Sequence, residues 1–236
     1  MHHMKELLEI IRERRSLRVP FDPERPVPAE DLQQILEAAR WTPTAHNMQN
    51  FEIIAVDNKE TIAAIFGIHR PLSETFVREN YLQLSFSEDE LLRKKTGLLG
   101  TMFPQSWRLP DFSLENLSES EKKAMQRPFP SAPLLLVVVF DPSKRAPASE
   151  GDFLGILSLG CAMENMWLTA QALGIGFHIL SSLSAGTVQD EMKSILGIPG
   201  NFEIAFTCRL GYPLATPPGY LRVRRDIQDF THRNKW

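Results

Sequence analysis

Three arginines lie within five residues at the end of a predicted helix, in the stretch RRSLR. Arg14, Arg15 and Arg18 surround Ser16, and no acidic residue within the stretch balances their charge. An arginine fork can bind a phosphate through two parallel hydrogen bonds, and a serine hydroxyl can add a short one. The stretch therefore has the composition of an anion site, with a solvated charged surface as the alternative.

A second cationic group lies near the end of the chain, where Arg222, Arg224 and Arg225 fall within four residues. For either group alone, solvated surface charge is the simpler explanation; for the two together, an anionic ligand explains them about as well. The net charge of -3 and the lack of an aromatic and basic platform argue against nucleic acid as that ligand.

A loop rich in amides and hydroxyls, TPTAHNMQNF, lies between a predicted helix and a predicted strand. Its polar side chains, among them Thr44, Asn47 and Gln49, are of the type that binds the polar edge of a heterocycle. The alternative is a turn that ends the helix, with Pro43 as the breaker and Asn47 in a left-handed conformation. The residues alone leave both interpretations open.

Several common catalytic motifs are absent from the sequence. It contains no glycine-rich dinucleotide fingerprint, no P-loop, no HExxH zinc motif and no GxSxG nucleophile motif. The six histidines are scattered, and only His46 and His178 fall in segments of interest. A metal site and a serine nucleophile are therefore not expected.

The elements that must position these residues are a mixture of helices and strands. Apolar periodicity predicts helices at residues 5–14, 27–40, 59–67, 153–174 and 187–197. Strands are predicted at residues 51–57, 132–141, 174–180 and 201–213. In the second of these, apolar and polar residues do not alternate, so that strand is predicted to be buried on both faces. The mixture predicts an α+β or α/β sandwich with a central sheet and helices around it.

Residues 68–130 differ from the rest of the chain in having many charges and few apolar runs. The patches SFSEDELLRKK and SESEKKAM predict short exposed helices, and Phe103, Trp107, Phe112 and Phe129 are interspersed. A connection of this length inside a compact domain is usually functional. We therefore predict a single domain over residues 1–236, with an inserted, lid-like or flexible segment.

The apolar stretch from Phe153 to Gly174 is long enough to cross a membrane. Glu164, Asn165 and Gln171 lie inside it, and each would be costly in lipid. No membrane is therefore expected, and the stretch is predicted to be a central helix, buried by its own domain or by a partner subunit.

Composition favours a soluble intracellular protein. Of the 236 residues, 43% are apolar and 23% are charged, which is ordinary for a globular chain. Cys161 and Cys208 have no metal-type spacing and are predicted to be buried, reduced thiols. The N-terminus lacks the apolar core of a signal peptide, so a cytoplasmic location is expected.

The order of these pieces resembles the FMN-dependent nitroreductase family over residues 5–66 and 131–236. RRSLR stands where that family shows Arg-x-Ser-x-Arg/Lys, and WTPTAHNMQNF where it usually shows Ala-Pro-Ser-x-x-Asn-x-Gln-Pro-Trp. The usual proline after Gln49 is missing here. The resemblance implies an α+β homodimer, with a mixed or antiparallel central sheet flanked by helices and two FMN sites at the interface.

The resemblance also implies roles for individual residues. Arg14 and Ser16 would bind the FMN phosphate, Arg18 would lie near N1 and O2 of the flavin, and a backbone N–H at Ser181 would face N5. The loop containing Asn47 would reach the flavin of the other subunit, and the arginines of the tail would close the phosphate site. The implied cofactor-binding residues are Arg14, Arg15, Ser16, Arg18, Pro43, Thr44, Ala45, Asn47, Gln49, Ile179, Leu180, Ser181, Ser182, Arg222, Arg224 and Arg225.

The activity implied is hydride transfer from NADH or NADPH through FMN to a nitroaromatic, a quinone or a similar electron-poor small molecule, with ping-pong turnover. No side chain need act as nucleophile or base, and Arg18 would tune the flavin. Two alternatives share the fold, a lid-bearing reductive dehalogenase and a flavin-degrading relative. In relatives with a long insertion the insertion forms a lid that sets the substrate; Phe103, Trp107 and Phe112 could line it, with structural packing as the favoured role for at least two of them. A flavin-binding module without turnover is an alternative of another class.

Overall fold

The computed structural model divides into two compact units. One comprises Met1–His69 and Pro128–Pro217, and the other comprises Arg70–Arg127 and Pro218–Trp236. The single domain with an inserted segment stays a prediction. The residues that the structure describes are 7–70, 85–95, 98–99, 113, 115, 117–120, 129–147, 151–184, 186–217 and 222–236.

The described residues form helices and strands close to the predicted positions. The α-helices are α1 (Leu7–Glu13), α2 (Ala29–Arg40), α3 (Lys59–Gly67), α4 (Glu88–Lys94), α5 (Phe153–Ala172) and α6 (Gly186–Leu196). The strands are β1 (Phe51–Val56), β2 (Ser85–Phe86), β3 (Leu98–Leu99), β4 (Leu134–Phe140), β5 (Gly176–Ile179) and β6 (Glu203–Gly211).

A four-stranded antiparallel sheet forms the centre of the first unit, in the order β1–β4–β6–β5. Strand β4 is buried along nearly its whole length, as its unbroken run of Leu and Val predicts. Its alternate side chains enter two cores. Leu136 and Val138 pack with α2 and α5, whereas Leu135 and Val137 pack with α3 and α6. The predicted α+β fold, with helices flanking the sheet, is confirmed.

Helix α5 buries one side and exposes the other. Its inner side, including Met166 and Trp167, packs against α2 and the sheet. By length and composition alone α5 could cross a membrane, but the core helix of a soluble protein has the same properties. A stripe of residues at helical spacing is exposed instead, and we call it the outer α5 face. Its members are Phe153, Ile156, Leu157, Gly160 and Cys161.

The two cysteines differ in environment. Cys208 is fully buried in β6, where burial raises the pKa of its thiol and its Sγ lies 3.7 Å from the Leu136 carbonyl oxygen. Cys161 is exposed on the outer α5 face, so the prediction that both thiols are buried is wrong for Cys161. The cause is that α5 is apolar on all sides, and its sequence therefore does not show which side meets the sheet.

The second unit contains α4, the exposed helix predicted within SFSEDELLRKK. Ser87 caps it by accepting a hydrogen bond from the Glu90 N–H, and the Glu90 carboxylate accepts one from the Ser87 N–H. Most of SESEKKAM lies outside the described residues, and so do the aromatic residues Phe103, Trp107 and Phe112. Phe129 belongs to the first unit, where its ring lies 5.0 Å from that of Phe66.

Candidate functional site

The segment RRSLR lies beside strand β5. The Leu17 N–H donates a 3.0 Å hydrogen bond to the Phe177 carbonyl oxygen, in the middle of that strand. Arg15 and Arg18 are exposed to solvent, and Ser16 is half-buried. The segment is therefore fixed through its backbone while two of its cations stay accessible.

Arg14 has an acidic partner that its local sequence does not contain. Its Nε lies 3.1 Å from Oε1 of Glu164 on α5, and its guanidinium centre lies 4.3 Å from the ring centroid of Trp167 on the same helix. At least one of the three arginines of RRSLR, Arg14, therefore has an acidic partner. The inference of unbalanced charge fails for Arg14 because its partner comes from a distant part of the chain.

The loop before β1 holds three non-glycine residues in the left-handed region. The φ angles are 51° at His46, 53° at Asn47 and 44° at Gln49. Asn47 is left-handed, as the helix-ending turn supposed, but α2 ends at Arg40, and His46 and Gln49 share the conformation. Each such residue costs on the order of 1 kcal/mol, and such strain clusters at ligand sites.

Hydrogen bonds hold the strained loop in one shape. Thr44 Oγ1 accepts a 3.2 Å hydrogen bond from the Gln49 N–H, and Gln49 Nε2 donates at 3.0 Å to Asn47 Oδ1. The side chains of Asn47 and Gln49 remain exposed, as does Pro43, while Thr44 and Ala45 are half-buried. Exposed amides on a fixed backbone can read the donor and acceptor pattern of a ligand edge.

Helix α5 anchors this loop as well as Arg14. The Ala45 N–H donates to Ser158 Oγ at 3.1 Å, and Asn165 Nδ2 donates to Thr42 Oγ1 at 3.1 Å. Ser158 and Glu164 are six residues apart, which is a rise of about 9 Å along an α-helix. One helix therefore positions both of the predicted ligand-binding segments.

The segment from Ile179 to Ser182 starts at the last residue of β5 and enters a 3-10 turn at Ser181. The Leu180 N–H donates to the Thr207 carbonyl oxygen at 2.8 Å, which ties the segment to β6. Leu180 is buried, Ser181 is exposed, and Ile179 and Ser182 are half-buried. Because RRSLR is bonded to β5, the two segments occupy neighbouring positions at the edge of the sheet.

Arg209 is a site residue that the sequence analysis missed. It lies fully buried in β6, and its guanidinium reaches the residues on both sides of Arg18. Its Nη2 donates to the carbonyl oxygens of Leu17 at 3.0 Å and Val19 at 2.8 Å. Burial lowers its pKa to about 10. The sequence feature that could have identified Arg209 is a single charged residue inside the largely apolar strand IAFTCRLG.

His178 accepts a hydrogen bond from Arg209 and is held in its neutral form. Arg209 Nε donates to His178 Nδ1 at 3.0 Å, so the imidazole proton lies on Nε2. Burial, then the positive charges of Arg209 and Arg18, lower the pKa of His178 to about 3. His178 is thus a hydrogen-bonded polar residue near the end of β5.

We predict that His178 makes the protein less stable in mild acid. The folded chain excludes the proton until about pH 3, whereas an unfolded histidine binds it near pH 6.5. Stability is therefore complete above pH 6.5 and is lost as the pH falls below that value. The free energy of unfolding should fall by about 2 kcal/mol more between pH 6.5 and 5 in the parent than in His178→Asn. Urea titrations at both pH values measure this difference, and equal losses would contradict it.

The arginines of the tail belong to the second unit and are exposed. Arg224 Nη1 donates to the Val223 carbonyl oxygen at 2.7 Å. Arg225 donates to the Asp229 carbonyl oxygen, and its guanidinium lies 5.7 Å from the ring centroid of Phe230. The role of these two residues and Arg222 as phosphate ligands stays a prediction.

The antiparallel sheet and its flanking helices define an α+β protein, with a candidate ligand site at the edge of the sheet. The profile of the nitroreductase family matches residues 11–212. The chain belongs to the nitroreductase family, which confirms the resemblance found in the sequence.

Individual relatives match along almost the whole chain. A protein of Archaeoglobus fulgidus, named as a candidate NADH dehydrogenase/NAD(P)H nitroreductase, is 26% identical over 233 residues, which cover 99% of this chain and 100% of that protein. A nitroreductase of Desulfitobacterium hafniense, solved with bound FMN, has a TM-score of 0.59 at 24% identity and covers 98% of this chain and 100% of its own. An FMN-bound nitroreductase of Bacteroides fragilis has a TM-score of 0.57 at 22% identity, with coverages of 98% and 100%.

Proposed function

We propose that this protein is an FMN-dependent oxidoreductase, which passes hydride from NADH or NADPH to a nitroaromatic, a quinone or a similar electron-poor small molecule. The single observation that carries the proposal is the attachment of two segments to α5, the strained loop through Ser158 and the arginine segment through Glu164. Membership of the nitroreductase family and the FMN seen in solved relatives support it.

The residues present fit FMN. The ligand has a phosphate dianion, a ring edge with alternating donors and acceptors, and a flat apolar face. Arg18 and Ser16 supply charge-assisted and hydroxyl hydrogen bonds beside β5. Arg14 is oriented by Glu164 and Trp167, and a guanidinium with five N–H groups can bind a phosphate oxygen in addition.

FMN, when bound, supplies the hydride acceptor and donor, so the chain's own residues have binding and electrostatic roles. Arg14 and Ser16 would hold the phosphate, and the arginines of the tail would be further phosphate ligands. Arg18 would offset the negative charge that reduction places on N1 and O2 of the ring. The backbone N–H of Ser181 would donate a hydrogen bond to N5. No side chain acts as a nucleophile.

The proposal includes a homodimer in the cytoplasm. The outer α5 face presents Phe153, Ile156 and Leu157, which are 66%, 59% and 50% exposed. A two-fold axis along this face would pair it with the same face of a second copy. Because α5 also anchors the strained loop, such a pairing would bring Asn47 of each subunit toward the flavin of the other.

We predict that the purified protein carries FMN and turns over with a nicotinamide. Heat should release a flavin with the FMN spectrum, because RRSLR provides for one phosphate and the sequence has no dinucleotide fingerprint. Anaerobic NADH or NADPH should bleach the bound flavin. A nitroaromatic, a quinone and a halophenol are then added separately, and only those that the reduced flavin can pass electrons to should restore its colour.

Two outcomes would overturn the proposal. Recovery of FAD, or of no flavin after reconstitution with FMN, would remove the cofactor assignment. A yellow protein that neither nicotinamide bleaches would instead be a flavin-binding module without turnover. Restoration of colour by the halophenol alone would favour a reductive dehalogenase among the members of the fold.

A further inference from the structure

Arg209 is a buried cation that binds the carbonyl oxygens on both sides of Arg18 and the imidazole of His178, the residue before the Ile179–Ser182 segment. We propose that Arg209 is a positioning residue of the FMN site, which fixes the direction of Arg18 and the start of the Ile179–Ser182 segment and adds a buried positive charge beneath them. This inference rests on the proposed function. Arg209 touches no part of the ligand itself and acts through its neighbours.

The first step concerns Arg18. The carbonyl oxygens of Leu17 and Val19 converge on one nitrogen of Arg209, at 3.0 and 2.8 Å. Two carbonyl oxygens bonded to one nitrogen fix the backbone on both sides of Arg18, and a fixed backbone limits the directions that the Arg18 side chain can take. The Arg18 side chain itself is exposed to solvent. Arg209 therefore sets which way Arg18 leaves the backbone.

The second step concerns β5. Arg209 Nε donates to His178 Nδ1 at 3.0 Å, and His178 immediately precedes Ile179. The low pKa of His178 keeps Nδ1 free of a proton and able to accept this bond. One guanidinium thus bridges the arginine segment and the strand that leads to Ser181. Their separation is set by a rigid planar group rather than by flexible side chains.

The third step concerns charge. A fourth bond, from Nη1 to the Ser131 carbonyl oxygen at 3.1 Å, and the ring of Phe21 at 4.2 Å complete the described surroundings of Arg209. None of these described partners is a carboxylate, in contrast to Arg14 with its Glu164. The charge is solvated by dipoles but not neutralised. In a water-poor interior it acts on nearby groups more strongly than a solvated surface charge would.

The consequence is a division of effects that can be measured. Positioning by the guanidinium fork should govern FMN affinity, since it aligns Arg18 and Ser16. The buried charge should favour the reduced form of bound FMN, which carries more negative charge than the oxidised form. A purely structural arginine would change neither the affinity nor the potential beyond what general destabilisation produces.

The experiment compares three variants with the parent protein: Arg209→Met, Arg209→Lys and His178→Leu. Dissociation constants for FMN, midpoint potentials of bound FMN and free energies of unfolding are measured for each. Arg209→Met should bind FMN about tenfold or more weakly and shift the midpoint potential to a more negative value. Arg209→Lys should keep the potential near that of the parent and still lose affinity, because an ammonium cannot make the four-bond fork.

The control matches loss of stability without touching these contacts. Met192 is fully buried in α6, and Met192→Ala should lower the free energy of unfolding because it leaves a cavity in the core. It should leave the potential unchanged. His178→Leu breaks the bond to β5 but keeps the charge, so it should weaken FMN binding without moving the potential.

Each outcome decides the matter. If Arg209→Met and Met192→Ala have the same FMN affinity and the same potential, Arg209 is only a structural residue. If Arg209→Met does not fold, Arg209→Lys and His178→Leu decide, and parent-like FMN affinity in both would overturn the positioning role. A parent protein that binds no FMN would overturn the proposed function and this inference with it, whereas an FMN-bound parent with unmoved variants overturns the inference alone.

Discussion

Replacing Leu157 with arginine should separate the subunits of the proposed homodimer and abolish both FMN retention and turnover. Leu157 lies on the outer α5 face and is 50% exposed in the single chain. In a two-fold dimer each subunit would contribute one such arginine to an apolar contact, and an unpaired buried charge costs several kcal/mol. The loop with Asn47 would then no longer reach the partner's flavin. Sedimentation, flavin absorbance and NADH oxidation measure the three effects.

A matched control is available on α6. Ile195 is 38% exposed and lies outside the outer α5 face, so Ile195→Arg introduces the same charge at another apolar surface position. It should remain dimeric, yellow and active. A Leu157→Arg protein that stays dimeric with full flavin would show that α5 is not the interface. A monomeric parent that holds FMN at low concentration would contradict the homodimer directly.

The fold was predictable because its signals are local. Periodicity placed α3 at Lys59–Gly67 without error, and the unbroken run of Leu and Val identified β4 as a buried strand. The loop after α2 was predictable for a similar reason, since an Asn after a helix-breaking proline favours the left-handed region. These features depend on residues within a few positions of one another.

The site was less predictable because its contacts join distant segments. The Arg14–Glu164 pair joins the end of α1 to α5, and the sequence around either residue does not indicate its partner. Arg209 was visible as an arginine in an apolar strand, but its partners Leu17 and Val19 follow from the tertiary arrangement. Cys161 was assigned to the core because α5 is apolar all round. The inner and outer sides of such a helix are set by what packs against it.

The two ends of RRSLR, for which the sequence already implies different roles, also differ in their surroundings. Arg14 is half-buried between Glu164 and Trp167, while Arg18 is exposed and is directed by backbone contacts on both sides. Arg14→Ala should weaken FMN binding about tenfold or more, since a charge-assisted hydrogen bond to phosphate is lost. The midpoint potential of the flavin that remains bound should stay nearly that of the parent, because the phosphate is remote from the ring.

Arg18→Ala should instead make bound FMN harder to reduce and slow hydride transfer. It should shift the midpoint potential more than Arg14→Ala does. The reason is electrostatic: in the proposed site the positive charge of Arg18 is near N1 and O2, and it would stabilise the negative charge that two-electron reduction places there. Arg18→Lys should keep much of the parent's potential, because a point charge suffices where no bidentate fork is needed. Spectroelectrochemical titration of the three variants beside the parent makes the comparison. An unchanged midpoint potential in Arg18→Ala would mean that Arg18 binds the phosphate or is a solvated surface residue. The assignment of Arg14 to the phosphate and Arg18 to the flavin ring would then be wrong.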